Sequence, residues 1–133
     1  MIVFADSYVY LAILSVDDEG HSKAIDFSRS CRGQTITTEW VLTEVADALA
    51  SPRTRVSIQL LYQGLRNNPK VTIIPAEHIS FELGMDLYCN RSDKGWSLTD
   101  CISFELMREH GVIDALTGDR HFAQAGFTPL FVS

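Results

Sequence analysis

Short apolar, β-branched runs alternate with helix-length segments from one end of this sequence to the other, and few folds accept that pattern. The runs are MIVFAD (1–6), QTITT (34–38), VTIIP (71–75), one inside GVIDALTGD (111–119) and PLFVS (129–133). Between them lie a short helix over SYVYLAIL, a helix from His21 to Cys31, and one over TEWVLTEVADALA through Ala50. SPRTR breaks that helix and opens another, which runs to Asn67. A further helix starts near Ala76 with Ile79, Leu83 and Leu87 at helical spacing. The last long one starts at Thr99, a good N-cap, and carries Ile102, Phe104 and Leu106; RHFAQAG adds a short helical turn. Strands that alternate with helices pair in parallel, because each return to the start of the next strand is made by the intervening helix. The expected fold is one α/β domain over residues 1–133, a parallel sheet with helices on both faces. Nothing in the chain reads as a repeat, a low-complexity tract or a linker.

Composition narrows the function. At 46% hydrophobic and 21% charged, the 133 residues suit one ordinary soluble core. No apolar run is long enough to span a bilayer, and MIVFADS lacks the basic start of a signal peptide. Three cysteines, Cys31, Cys89 and Cys101, are odd in number and show no C-x-x-C spacing. That argues against a disulfide framework or a zinc ribbon and fits a reducing cytoplasm. His21, His78, His110 and His121 are scattered and none pairs at i, i+4, so a histidine metal site has little support. The net charge of −6 disfavours a sequence-blind nucleic-acid binder. A bound metal ion reverses that logic locally, which directs attention to the acids.

Four acids fall where a parallel sheet binds ligands, beyond the carboxyl ends of its strands. Asp6 ends the first strand and Asp119 lies just past the fourth. Asp100 opens the helix leading into that fourth strand, so its end of the helix faces the same edge. Glu44 lies about 60° around its helix from Val41, at the border of the Val41–Val45–Leu49 stripe, whereas Asp47 points further into solvent. Each acid also has a purely structural reading. Asp6 and Asp119 suit N-caps, Asp100 suits a helix dipole, and Glu44 suits a solvated helix border. Four such accidents at one edge are a weaker account than one site. Asp114 is set aside as an edge or ion-pair residue of its strand, and Trp96 is assigned to packing.

The order of these segments is FADSYVYLAIL, TTEWVLTEVADAL, WSLTDCISFEL and ALTGDRHFAQAGF, with S-L-T-D-C at 97–101 and T-x-D-x-H-F at 117–122. This set resembles the PIN domain family over nearly the whole chain, most closely the VapC-like toxins of type II toxin–antitoxin pairs. The resemblance implies a sheet of order 3-2-1-4-5 and a Mg²⁺- or Mn²⁺-dependent endoribonuclease. It implies Asp6, Glu44, Asp100 and Asp119 as metal-binding and catalytic acids, with Ser7 and Thr117 as supporting hydroxyls. It also implies a cognate antitoxin partner and a homodimer. Arg53, Arg55, Arg91, Lys94 and Arg120 are the candidate contacts to an RNA backbone.

The chemistry is consistent on its own terms. Hard divalent cations prefer oxygen ligands, and a carboxylate cluster suits Mg²⁺ or Mn²⁺ better than zinc. Such an ion activates water and relieves charge at a scissile phosphate. Without it the acids repel one another, so at least one is expected to carry a raised pKa. A phosphoacceptor domain is the main rival fold-mate, but it needs an acid pair near the first strand and a lysine after the last, and the sequence offers neither. A silent PIN-like interaction module predicts lost acids, and none is lost. A ribonuclease of routine RNA processing keeps the same chemistry.

Overall fold

β1 (Ile2–Ala5) is the strand on which the rest of the fold is hung. In the computed structural model, which describes residues 1–17, 19–30 and 33–131, it pairs in parallel with β2 (Gln34–Thr38) on one side and β4 (Asp114–Leu116) on the other. β3 (Val71–Ile74) lies beyond β2 and β5 (Thr128–Pro129) beyond β4, giving the parallel order β3-β2-β1-β4-β5. This is the expected 3-2-1-4-5 sheet. The chain builds outward from β1 to β3, then crosses back to β4. The switch point therefore lies between the carboxyl ends of β1 and β4, where such sheets form ligand clefts.

Among the described residues seven helices carry the connections: α1 (Ser7–Leu14), α2 (His21–Ser30), α3 (Glu39–Ala48), α4 (Arg55–Asn67), α5 (His78–Asn90), α6 (Leu98–Glu109) and α7 (His121–Gln124). Cys31 lies outside the described residues; Cys89 is exposed and Cys101 buried, both as free thiols. Among the described residues no helix is long and apolar enough to cross a membrane.

The core sits over β1 and β4. Val3, Phe4 and Ala5 are buried, as are Ala115 and Leu116, because the central strands are covered on both faces. Phe104 of α6 anchors this core: its ring meets Trp96 edge-on at 5.1 Å and Phe122 at 5.0 Å. Trp96 is buried as expected, and its indole N–H donates to Gln124. α6 is pressed close by α5, whose buried positions are Ser80 and Gly84. A Cβ on Gly84 would run into Ile102 Cγ1 and stand 3.0 Å from the Ile102 Cα, so the two helices meet at a distance only glycine permits.

That contact also orients α5: Ile79 is 59% exposed and Leu83 41%, Leu87 packs against the core, and the helix turns its small residues to α6 because α6 comes too near for large ones. α6 itself starts earlier than expected, at Leu98. Ser97, not Thr99, is its N-cap, with the Ser97 hydroxyl accepting from Asp100 N–H at 3.0 Å. The last strand is Thr128–Pro129, ahead of most of the apolar PLFVS run, where Leu130 and Phe131 pack on the core instead. Asp114 is not on an edge strand, since β4 runs between β1 and β5.

Candidate metal centre

The site forms where β1 and β4 both stop. Ala5 is paired with Leu116, so the next residues along, Asp6 and Thr117, emerge side by side at the switch point. The Thr117 hydroxyl donates to Asp6 Oδ2 at 3.0 Å, and both side chains are buried. Asp6 occupies the N-cap position of α1 but makes no side-chain cap bond, so the capping account of this acid fails. Position 118 is glycine because the Tyr8 ring lies over it: a Cβ there would come within 2.6 Å of the ring.

Glu44 reaches the same edge from α3. That helix is capped by Thr38, the last residue of β2, whose hydroxyl accepts from Val41 N–H, so its first turns stand above the sheet's carboxyl end. Val41 and Val45 are buried, Glu44 is half-buried at the margin, and Asp47 is exposed. Ser7 Oγ donates to Glu44 Oε1 at 2.5 Å, tying α3 to the start of α1.

Asp100 arrives on the first turn of α6. Its Oδ2 accepts from Ser97 N–H at 3.1 Å, completing a capping box, and also receives His121 Nδ1 at 3.2 Å. It is thus both a cap and a cleft residue. Asp119 is similarly double. Its Oδ1 accepts from His121 N–H at 2.9 Å and lies 3.3 Å from His121 Nδ1, while its own N–H donates to Thr117.

The acids act on one another electrically. Burial, and then the charge of Asp100, push the Asp6 carboxyl up to about 7; Glu44 adds to this, while Ser7 N–H and the Thr117 hydroxyl oppose it. Burial also raises the Asp100 pKa, with Asp119 adding to it and the Ser97 N–H and His121 opposing. Among the described residues no lysine or arginine forms an ion pair with any of the four acids. The donor set, two buried and two half-buried carboxylates without a lysine or arginine partner, fits a hard divalent ion.

The structure therefore gathers Asp6, Glu44, Asp100, Asp119, Ser7 and Thr117 at one edge. It adds His121, which was not among the candidate ligands although it lies in the T-x-D-x-H-F motif: single ligand atoms of Asp100, Asp119 and His121 lie within 4.8 Å of one another. A search for paired histidines missed it because His121 pairs with acids, one of them distant in sequence. The available signal was its place two residues after Asp119. The basic candidates divide. Arg120 lies between Asp119 and His121, and the 91–97 loop carrying Arg91 and Lys94 abuts His121, with a Cβ on Gly95 lying 3.9 Å from Nε2. Arg91 and Lys94 share Asp93 as an ion partner. Arg53 lies in the α3–α4 link at the far end of α3, and Arg55, which opens α4, donates to Ala50 O.

The fold has a solved counterpart. VapC20 of Mycobacterium tuberculosis, a sarcin-ricin loop cleaving toxin, superposes with a TM-score of 0.84, covering 98% of each chain at 22% sequence identity. The chain has the VapC fold. No family model and no curated protein matches the sequence.

Proposed function

We propose that this chain is a metal-dependent endoribonuclease, a single cytoplasmic nuclease domain over residues 1–133 that serves as the toxin of a type II toxin–antitoxin pair. The observation that carries the proposal is the pair of buried carboxylates, Asp6 and Asp100, with no lysine or arginine paired to either, at the switch point of a fold shared with a sarcin-ricin loop cleaving toxin. Asp6, Glu44, Asp100 and Asp119 are the groups that would hold Mg²⁺ or Mn²⁺. A bound divalent ion there supplies an activated water and neutralises charge on a phosphodiester.

The protein's own part is positioning. Thr117 fixes the rotation of Asp6 by donating to one of its two oxygens. Ser7 does the same for Glu44. Ser97 holds Asp100 to the helix start, so its geometry survives the loss of the ion. Arg120, beside Asp119, and Arg91 and Lys94, in the loop that abuts His121, are the candidate contacts to the flanking phosphates of an RNA strand. Arg53 and Arg55 serve only a longer RNA reaching past α3. The implied protein partners are an antitoxin and a second copy of the chain.

A silent interaction module would not keep all four acids at one edge. A housekeeping ribonuclease would keep them, and a small neighbouring gene for a DNA-binding antitoxin distinguishes the two. The direct test is cleavage by purified, antitoxin-free protein. Fragments containing a sarcin–ricin loop and a broader RNA panel should be cut with Mg²⁺ or Mn²⁺ and remain whole in chelator. An intact panel in the presence of folded, metal-loaded protein overturns the proposal.

A further inference from the structure

We propose that His121 is a ligand of the metal centre through Nδ1, and that the site consequently favours Mn²⁺ over Mg²⁺. The inference rests on the metal-centre reading above and adds to it a nitrogen donor that four acids alone do not supply. Three observations carry it. Nδ1 stands 3.2 Å from Asp100 Oδ2 and 3.3 Å from Asp119 Oδ1, so the ring edge points between two of the acids rather than away from them. The residue is also held in place through its backbone. The His121 backbone N–H donates to Asp119 Oδ1, and Phe122 beside it is fully buried in the core, so α7 cannot swing without pulling an aromatic residue out of place. Finally, the ring is one-third exposed, and behind it lies Gly95, where even an added Cβ would stay 3.9 Å from Nε2; Nε2 is thus left room to carry the ring proton when Nδ1 gives its lone pair to an ion.

Histidine has a simpler reading here, as a hydrogen-bond bridge that holds Asp100 and Asp119 together. That reading makes the bridge equally useful to any oxygen-seeking ion. The ligand reading differs in a measurable way. Imidazole nitrogen suits Mn²⁺ and later first-row ions, whereas Mg²⁺ takes oxygen ligands and keeps its waters. Removing the nitrogen should then penalise Mn²⁺ far more than Mg²⁺.

The decisive probe is Mn²⁺ itself, bound to the full chain and followed by pulsed electron paramagnetic resonance. Nitrogen modulation from a directly bound imidazole is expected, and it should change when the histidines alone are labelled with ¹⁵N. It should vanish in His121→Gln and persist in His110→Gln, whose ring bonds Leu106 O at the opposite end of α6 from Asp100. Titrations should show Mn²⁺ affinity falling by about tenfold or more in His121→Gln, with Mg²⁺ affinity changed much less. If Mn²⁺ binds the unaltered protein without histidine-nitrogen modulation, His121 is only a bridge and the inference is overturned while the metal centre stands. If Mn²⁺ does not bind at all, both fall. The labelled, unmutated protein gives the answer even if the variant does not fold.

Discussion

α6 and α4 are of nearly equal length, 12 and 13 residues, and their surroundings are opposite. Seven residues of α6 are buried, among them Asp100, and α4 buries none. α6 is wedged between the sheet and α5, with Gly84 pressed against it. α4 lies on the outside, with Val56 and Leu60 more than half exposed. The difference teaches where an acid can be made unusual. A carboxylate set into the closed half feels burial and its neighbours, and its pKa moves. One on the open half keeps its water. The fold sets Asp6 and Asp100 into the closed half, where burial raises both pKa values and their ionisation works against folding.

The largest effect should separate the acids of the closed half from those outside it. Asp6→Asn and Asp100→Asn each remove a charge from the cleft with little change of volume. Each should reduce metal-dependent RNA cleavage by about 100-fold or more with circular dichroism unchanged. Asp47→Asn, on the exposed face of α3, should leave the rate within a factor of about two. Equal losses at all three positions would erase the distinction between the halves.

Next in size is the cost of the buried charge itself. Asp6 binds its proton more tightly in the folded protein, with a pKa of about 7 against 3.8. The folded state therefore holds more protons than the unfolded one between those values, and metal-free stability must fall as pH rises through that window. The loss is on the order of 4 kcal/mol once pH exceeds the folded pKa. Asp6→Asn should raise the melting temperature in chelator at pH ~8, and the gain should fade towards pH ~4. Mn²⁺ or Mg²⁺ should stabilise the parent more than the variant. A variant that melts below its parent in chelator at the higher pH would show that the Thr117 bond to a charged Asp6 outweighs burial.

Much of this was legible in the sequence, for reasons that particular residues make plain. Parallel pairing followed from the alternation of strands and helices, and the strand order from the resemblance that the motif set carries. The acids were legible only as a set, because each alone suits a cap, a dipole or a solvated border, while four at one sheet edge do not. The misreadings arose where tertiary contact overrides local pattern. The helical spacing of Ile79 and Leu83 located α5 but left its buried face open, since no periodicity reveals that α6 approaches so closely that Ser80 and Gly84 must face it. PLFVS looks like a strand, but Leu130 and Phe131 are used as packing. His121 was overlooked because its partners, Asp100 and Asp119, make sense only once α6 and α7 are side by side.

The packing contrast predicts a third, smaller effect. Gly84→Ala drives a methyl group into Ile102 Cγ1 and to within 3.0 Å of a backbone atom, so α5 and α6 must part or Ile102 must leave its rotamer. The cost should be about 1–3 kcal/mol, and chemical denaturation should record it as a lower midpoint. Because α6 carries Asp100, a fall in metal affinity should accompany it. An unchanged midpoint would mean the closed half is looser than its contacts suggest.

The smallest effect lies on the open helix and has the opposite sign. Gly64 sits in the last turns of α4 with no atom within 4 Å of where a Cβ would go, and its φ is not among the positive ones. Glycine there gains nothing from close packing and gives the unfolded chain freedom that folding must remove. Gly64→Ala should therefore stabilise the protein by about 0.4–1 kcal/mol, a rise of a few degrees in melting temperature for a domain of this size. RNA cleavage should be unaffected, since α4 contributes none of the four acids. The same substitution thus costs stability at Gly84 and adds it at Gly64, with only the surroundings changed. If Gly64→Ala lowers the melting temperature instead, the exposed face of α4 is covered in solution by something that needs the glycine, and the open half of the molecule is itself an interface.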